Sequence, residues 1–150
     1  MKTVKKRRKQ NKTDYANRLK LLKSGKPRVV FRRTNKYIIA QYVTSKEAQD
    51  KIVFGVNSKE LMTHGWKKES GSLKSIPASY LTGYLIGKQI IKKSLETPIV
   101  DFGMIRVLHK TKVFGFLKGL IDAGVGIDCE KGFPEIKGDV EKIKLEIDKL

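Results

Sequence analysis

The sequence, 150 residues long, contains few of the features that stabilise secreted proteins or anchor membrane proteins. The single cysteine, Cys129, excludes an internal disulfide and a cysteine-based metal site, and is typical of a reducing, cytoplasmic setting. No window approaches the roughly eighteen consecutive apolar residues of a transmembrane helix. The basic N-terminus has no apolar run behind it, so we expect no secretory signal.

Catalytic groups are also scarce. The two histidines, His64 and His109, lie in different predicted loops, and no glycine pattern matches a phosphate-binding P-loop. As one alternative, Asp101 in a predicted buried strand and Asp122 in a later predicted helix could bind Mg²⁺ in a nuclease. Two-metal sites need several convergent carboxylates, so a hydrogen-bonded Asp101 at a strand end is the simpler interpretation. We expect no enzymatic activity, catalytic residue, metal, cofactor or small-molecule substrate.

Acidic residues are few where basic residues are dense. The chain carries 33 Lys and Arg against 15 Asp and Glu, a formal net charge of +18. Residues 1–36 alone hold 15 of these cations and one acidic residue. Such an excess favours a polyanionic partner, either nucleic acid or an anionic membrane surface, and of the two we expect nucleic acid and no membrane. Its concentration in the first quarter of the chain favours a specialised binding region over a uniformly charged surface.

This first quarter divides into three predicted parts. Residues 1–12 combine a block of like charge with almost no apolar residue, so we predict a basic arm that is disordered without RNA. A helix is predicted between Thr13-Asp14, which can cap it, and Gly25, which stops it. β-branched and aromatic residues then fill residues 28–33 and 37–43, and a short turn joins these runs into a hairpin. The hairpin holds cations on a rigid surface.

The remaining chain is predicted to complete a single α/β domain over residues 13–150. After the hairpin we predict, in chain order, a connector over residues 44–50, a third antiparallel strand over 51–56, a loop over 57–75, a helix over 75–94, a strand over 99–104, a helix over 112–123, a strand over 125–128 and a helix over 141–150. The long helix contains Gly83 and Gly87, which we expect to pack closely against the sheet. The strand–helix–strand order implies a right-handed crossover and a parallel pairing.

Side chains of the arm, first helix and hairpin are suited to RNA. Four hairpin cations are better placed than the arm to fix the orientation of a phosphate backbone: Arg28, Arg32, Arg33 and Lys36. Asn35 could read a base edge. Three aromatic rings could stack on an unpaired base or could instead pack in the core: Tyr15, Tyr37 and Trp66.

Several short motifs also occur in a fixed order along the chain. They are Lys12-Thr13-Asp14-Tyr15, Arg18-Leu19, Ser24-Gly25-Lys26-Pro27-Arg28, Thr34-Asn35-Lys36 with Ala40-Gln41, Trp66-Lys67, Pro77-Ala78-Ser79-Tyr80-Leu81-Thr82-Gly83, and Lys118-Gly119 followed by Asp122-Ala123-Gly124. As an ordered set, these motifs resemble the large-subunit ribosomal protein eighteen family, the 5S rRNA binder, in its archaeal form. The loop over residues 68–75 and the short segment after residue 133 depart from that pattern.

The resemblance implies a three-layer α/β/α domain with a mixed sheet of the ribonuclease-H-like type, without nuclease activity. It implies a cytoplasmic location in the ribosome, in the central protuberance, where the family links 5S rRNA to 23S rRNA beside ribosomal protein five. Carried over to this sequence, the RNA-binding residues are Lys5, Lys6, Arg7, Arg8, Lys9, Lys12, Tyr15, Arg18, Arg28, Arg32, Arg33, Asn35, Lys36, Trp66 and Lys67. Two alternatives remain, a ribonuclease-H-like metal-dependent nuclease and a non-specific RNA chaperone.

Overall fold

The computed structural model describes residues 3–67, 71–129, 132–136 and 140–149. The helices and strands follow one another largely in the predicted order, with α1 added and the strand predicted over residues 125–128 missing. In chain order they are α1 (Lys6–Lys9), α2 (Tyr15–Lys23), β1 (Arg28–Arg33), β2 (Ile38–Lys46), β3 (Gln49–Asn57), a 3-10 helix (Ser58–Met62), α3 (Ile76–Lys92), β4 (Ile99–Asp101), α4 (Lys112–Asp122) and α5 (Val140–Asp148).

The four strands form one mixed sheet in the order β3-β2-β1-β4. β2 pairs antiparallel with both β1 and β3, whereas β4 pairs parallel with β1. The predicted three-stranded meander is therefore confirmed, and the predicted parallel pairing after the long helix is confirmed as that of β4 with β1. The mixed α/β class is confirmed with them. The right hand of the crossover stays a prediction.

The connector predicted over residues 44–50 is wrong. β2 and β3 extend into it and meet at a tight turn whose central residues, Glu47 and Ala48, have φ values of 51° and 64°. Such a turn requires positive φ, and sequences usually mark it with Asn-Gly or Asp-Gly. Glu-Ala carries no such mark, so the sequence pattern gave no sign of the turn.

The hydrophobic core lies between one face of the sheet and helices α3 and α4. Val29 and Phe31 alternate with outward residues along β1, and both are buried. Phe31 contacts Phe116 of α4 with ring centroids 4.8 Å apart. α5 packs on α3, where the Tyr84 hydroxyl donates a hydrogen bond to Asp148 at 2.6 Å. Burial of these apolar side chains holds the helices on this face.

Glycines set the distance between α3 and α4. A Cβ at Gly83 would collide with the Phe116 carbonyl oxygen, and one at Gly119 would collide with that of Tyr80. A Cβ at Gly87 would meet the Ala123 side chain at 2.6 Å. The prediction that Gly83 and Gly87 face the sheet is therefore wrong, because they face a second helix.

The opposite face of the sheet carries side chains of a different kind. Arg28, Val30 and Arg32 project there, since successive residues of a strand point to opposite faces. α2 reaches this side through Arg18, whose guanidinium bonds Asp50 of β3 at 2.9 Å. No residue of α2 is buried. Helix α2 is thus held to the domain by polar contacts rather than by an apolar stripe.

Two predicted elements end differently in the structure. β4 stops at Asp101, because the Asp101 carboxylate accepts a hydrogen bond from the Gly103 N–H at 2.7 Å and turns the chain. The strand predicted over residues 125–128 is wrong: after Gly124, with φ of 99°, the Val125 N–H bonds back to the Leu120 carbonyl at 3.1 Å and terminates α4. The terminal helix is confirmed as α5, and Leu150 lies outside the described residues.

Candidate nucleic-acid interface

The basic arm folds back onto the start of α2. Asp14 caps this helix by accepting hydrogen bonds from the Ala16 and Asn17 N–H groups at 3.0 and 3.4 Å. These backbone bonds, together with Arg8 at 3.1 Å, hold the pKa of Asp14 below its usual value although desolvation opposes them. Arg7 donates to the Thr13 hydroxyl at 2.9 Å.

The arm itself is one exposed helical turn, α1, with no buried residue. The Lys5 ammonium lies 4.4 Å from the centroid of the half-buried Tyr15 ring. Lys6, Lys9 and Lys12 are exposed. A single turn without apolar contacts adds little stability of its own, and the disorder of the arm without RNA stays a prediction.

Arg28 does not lie on the surface, which corrects its predicted role as an RNA contact. Its side chain is 1% exposed, and its guanidinium bonds Asp50 at 2.7 Å, Ser45 at 2.9 Å and Asp101 at 3.2 Å. Desolvation alone would raise the pKa of Asp50, but hydrogen bonds from Arg18 and Ser45 and the charge of Arg28 together lower it. Arg28 therefore ties β1, β3 and β4 together on the face of the sheet that lies toward α2.

Arg32 and Arg33 are predicted as one pair of contacts, but they point to opposite faces of the sheet. Arg32 shares the face of Arg28, where it donates to the Phe31 and Asp101 carbonyl oxygens at 2.7 and 3.0 Å. Its side chain remains 44% exposed, 3.5 Å from the Asp101 carboxylate. Arg33 is exposed on the α4 side. Arg32 and Arg33 therefore cannot both contact one continuous stretch of phosphates in the same way.

Arm, α2 and sheet together enclose a polar cleft of about 210 Å³. We call its cations the arm face: Arg7, Lys12, Arg18 and Arg32. Asp14, Asp50 and Asp101 line the same cleft. Asp50 orients Arg18 and Asp101 orients Arg32, whereas Lys12 is exposed to solvent. The structure thus brings together four of the predicted RNA-binding side chains from three separate elements.

The hairpin tip forms a second part of the predicted site. The Thr34 hydroxyl accepts a hydrogen bond from the Tyr37 N–H at 2.9 Å and fixes the turn, which leaves Asn35 and Lys36 exposed. Both line a cleft of about 440 Å³ beside Tyr37 and Trp66.

Trp66 belongs to the core rather than to an exposed stacking surface. Its side chain is 6% exposed, and its indole N–H donates to the Gly71 carbonyl at 3.2 Å. The half-buried Tyr37 is the ring at the tip with more open surface, and Lys67 is exposed next to Trp66 in the chain. The prediction of Trp66 as a free base-stacking ring is corrected by this burial.

The carboxylates of the nuclease alternative are already engaged. Asp101 bonds Arg28, Arg32 and the Gly103 N–H, as described above. Asp122 accepts a 2.7 Å hydrogen bond from the Tyr80 hydroxyl, and burial together with this bond raises the pKa of Tyr80. Among the described residues, no group of three or more His, Cys, Asp or Glu side chains is placed to hold a metal ion.

Sequence reasoning missed a group of basic residues on the α4 side. Lys74, Arg106, Lys110 and Lys112 lie at or near a groove that Arg33 also lines. Three of these residues fall within seven positions, 106–112, and that density is the signal that could have marked them.

None of the helices in the described part of the chain forms an apolar span of membrane-crossing length.

The fold and these surfaces define a class: a small α/β domain whose exposed cations cover two sides of a mixed sheet. The family model described as "Ribosomal large subunit proteins 60S L5, and 50S L18" matches residues 1–98. The chain belongs to this family of large-subunit ribosomal proteins, as its motifs predict.

Curated relatives agree with this assignment. "Large ribosomal subunit protein uL18" of Korarchaeum cryptofilum is 41% identical over 138 residues, which cover 92% of this chain and 68% of the relative. The proteins of the same name from Halobacterium salinarum and Methanothermobacter thermautotrophicus are 41% and 38% identical over 121 residues, or 81% of this chain. The matches span 64% and 62% of those two proteins. The chain thus spans about two thirds of the length of these relatives.

Proposed function

We propose that this protein is a structural component of the large ribosomal subunit that binds 5S rRNA and helps attach it to 23S rRNA in the central protuberance. The observation that carries the proposal is the family match over residues 1–98, which includes every predicted RNA-binding residue. Ribosomal protein five of the large subunit is the proposed protein neighbour, and the cytoplasmic ribosome is the proposed location. The role is structural rather than catalytic, because the acids of the nuclease alternative are bound to arginine and tyrosine.

Binding rests on electrostatic docking of exposed cations against folded RNA. The arm face supplies cations from the arm, α2 and β1, and the hairpin tip adds Lys36 and the amide of Asn35. Arg28 acts indirectly, since its buried ion pairs fix the strands that carry Arg32. The arm orders against RNA and so adds contacts only in the complex.

The strand order supports the finer fold expectation as well. An antiparallel meander followed by a parallel fourth strand is the connectivity expected of a ribonuclease-H-like sheet, with α2 as the second helical layer. In such a fold the protein has the strand arrangement of a nuclease, but its Asp101 carboxylate is bound by Arg28 and Arg32.

The proposal is tested by titrating labelled 5S rRNA with matched double variants. Arg7→Gln/Lys12→Gln removes two cations from the arm face. Lys142→Gln/Lys149→Gln removes two exposed cations at α5, which packs on α3 on the other side of the sheet. The arm-face variant should lower the slope of log K against log salt by up to about 1.8, since each phosphate contact contributes about 0.9. The second variant should leave the slope unchanged. Equal losses in both variants, or no binding of 5S rRNA by the wild type, would contradict the proposal.

A further inference from the structure

A second cationic surface lies on the α4 side of the sheet, away from the arm face. A groove of about 640 Å³ runs there between the end of β1, residues 104–111 and the start of α4. Its floor is apolar and includes Phe31, Ile76 and Val113. Its rim is basic. We define the second surface by five cations: Arg33, Lys74, Arg106, Lys110 and Lys112.

No carboxylate neutralises these cations in the described part of the chain. None of the groove-lining residues is acidic, and none of the five cations takes part in an ion pair there. The arm face differs, because three aspartates lie among its cations. Burial and the nearby charges of Arg33 and Lys74 lower the pKa of Lys112, which shows mutual repulsion within the cluster. A bound polyanion would relieve that repulsion.

The backbone N–H groups at the start of α4, beside the groove, also carry partial positive charge. Thr111 precedes α4, but its hydroxyl donates to the Leu108 carbonyl at 2.6 Å and makes no cap for the helix. The Thr111 side chain thus leaves the first-turn N–H groups of α4 uncapped, and these groups add partial positive charge to the cationic rim. This contribution is secondary to the five side chains.

The second surface and the arm face are separated by the sheet itself. Arg32 projects to the arm face and Arg33 to the second surface, although the two residues are neighbours in β1. At the β4 edge Gly103 lines the arm-face cleft and Met104 lines the groove, so one RNA backbone would have to turn around an edge of the sheet to follow both. Two distinct anionic segments fit this arrangement more simply.

We propose that the second surface binds RNA backbone from a segment other than the one held by the arm face, so that one protein chain holds two RNA segments at once. This inference rests on the proposed function and names the surface that would make the second attachment. RNA fits the groove better than an acidic peptide does, because five cations without an ion pair among the described residues suit the dense, regular charge of a phosphate backbone. Met104 and Leu108, whose apolar side chains are exposed in the groove, suit contact with riboses and base faces.

The experiment measures bridging between two RNA molecules. Biotinylated 5S rRNA is immobilised with the protein, and capture of a labelled 23S rRNA transcript is measured at fixed salt. Arg106→Gln/Lys110→Gln/Lys112→Gln removes three cations from the second surface, and Arg7→Gln/Lys9→Gln/Lys12→Gln removes the same charge from the arm. Circular dichroism first establishes that both triple variants are folded.

The second-surface variant should keep its Kd for 5S rRNA within about twofold while capture of the 23S transcript falls roughly tenfold or more, as expected for three lost phosphate contacts. The arm variant should weaken 5S rRNA binding. Undiminished capture by the second-surface variant would overturn the inference and leave an acidic protein segment as the occupant of the groove. Equal loss of 5S rRNA binding in both variants would also overturn it, because the two surfaces would then bind one RNA. A wild type that does not bind 5S rRNA would instead refute the proposed function, and the inference with it.

Discussion

Replacing Arg28 by methionine separates its structural role from the RNA-binding role that its position in the sequence suggests. The substitution keeps an unbranched side chain of similar length but removes ion pairs to Asp50 at 2.7 Å and to Asp101 at 3.2 Å. Breaking a buried ion pair costs about 3 to 5 kcal/mol, since it leaves a buried charge without its partner. Arg32 lies 3.5 Å from Asp101 and compensates in part, so we expect a loss of about 3 kcal/mol.

Thermal unfolding followed by circular dichroism measures this loss. For a chain of this size, about 3 kcal/mol lowers Tm by roughly 6 to 12 °C. At a temperature where the variant is folded, its Kd for 5S rRNA should match that of the wild type within about twofold. Lys36→Met is the matched control: Lys36 is exposed, so its free energy of unfolding should change by less than about 0.5 kcal/mol, whereas RNA binding weakens. An unchanged Tm for Arg28→Met together with weaker RNA binding would refute the interior position of Arg28.

Two further predictions concern stability. Gly119→Ala should lower the free energy of unfolding by about 3 kcal/mol in urea titrations, because its Cβ collides with the Tyr80 carbonyl across the α3–α4 contact. The control, Gly126→Ala, has open space around its Cβ and should leave the free energy of unfolding unchanged. Equal effects of the two substitutions would contradict the close packing of α3 on α4. The pKa of Asp50 is lowered in the folded state, so its contribution to stability is present above the unfolded pKa of about 3.9 and is lost as pH falls through the lowered value. Asp50→Asn should therefore destabilise the protein at neutral pH and weaken the pH dependence of stability below about pH 4, and an unaltered pH profile would show that Asp50 makes no net contribution.

Local patterns predicted most of the elements, and long-range pairing accounts for the failures. Residues 28–33 match β1, and Asp14 caps the helix that it was expected to cap. The burial of Arg28 could not be predicted, because its partner Asp101 is 73 positions away in the chain. Strand periodicity alone places Arg28 on the face of the sheet that points away from the core. The alternation of residues along a strand does not reveal that this face of the sheet is covered next to α2.

The candidate site divides in the same way. The sequence identified the arm and the exposed tip of the hairpin correctly as basic surface, but it grouped Arg32 with Arg33 although alternation along a strand sends them to opposite faces. The cations of residues 106–112 join Arg33 only after the crossover brings α4 alongside β1. No local pattern contains that approach, so the second surface emerges from the fold.

Selection of 5S rRNA over other RNAs by this protein is measured by competition binding. Labelled 5S rRNA bound to the wild-type protein at moderate salt is challenged with unlabelled 5S rRNA or with a transcript of equal length and shuffled sequence. Both competitors carry the same backbone charge, so any difference reports shape and base recognition beyond counterion release. Unlabelled 5S rRNA should displace the complex at a concentration at least about tenfold lower than the shuffled transcript. Equal displacement by the two RNAs would contradict this selection and identify a non-specific RNA chaperone.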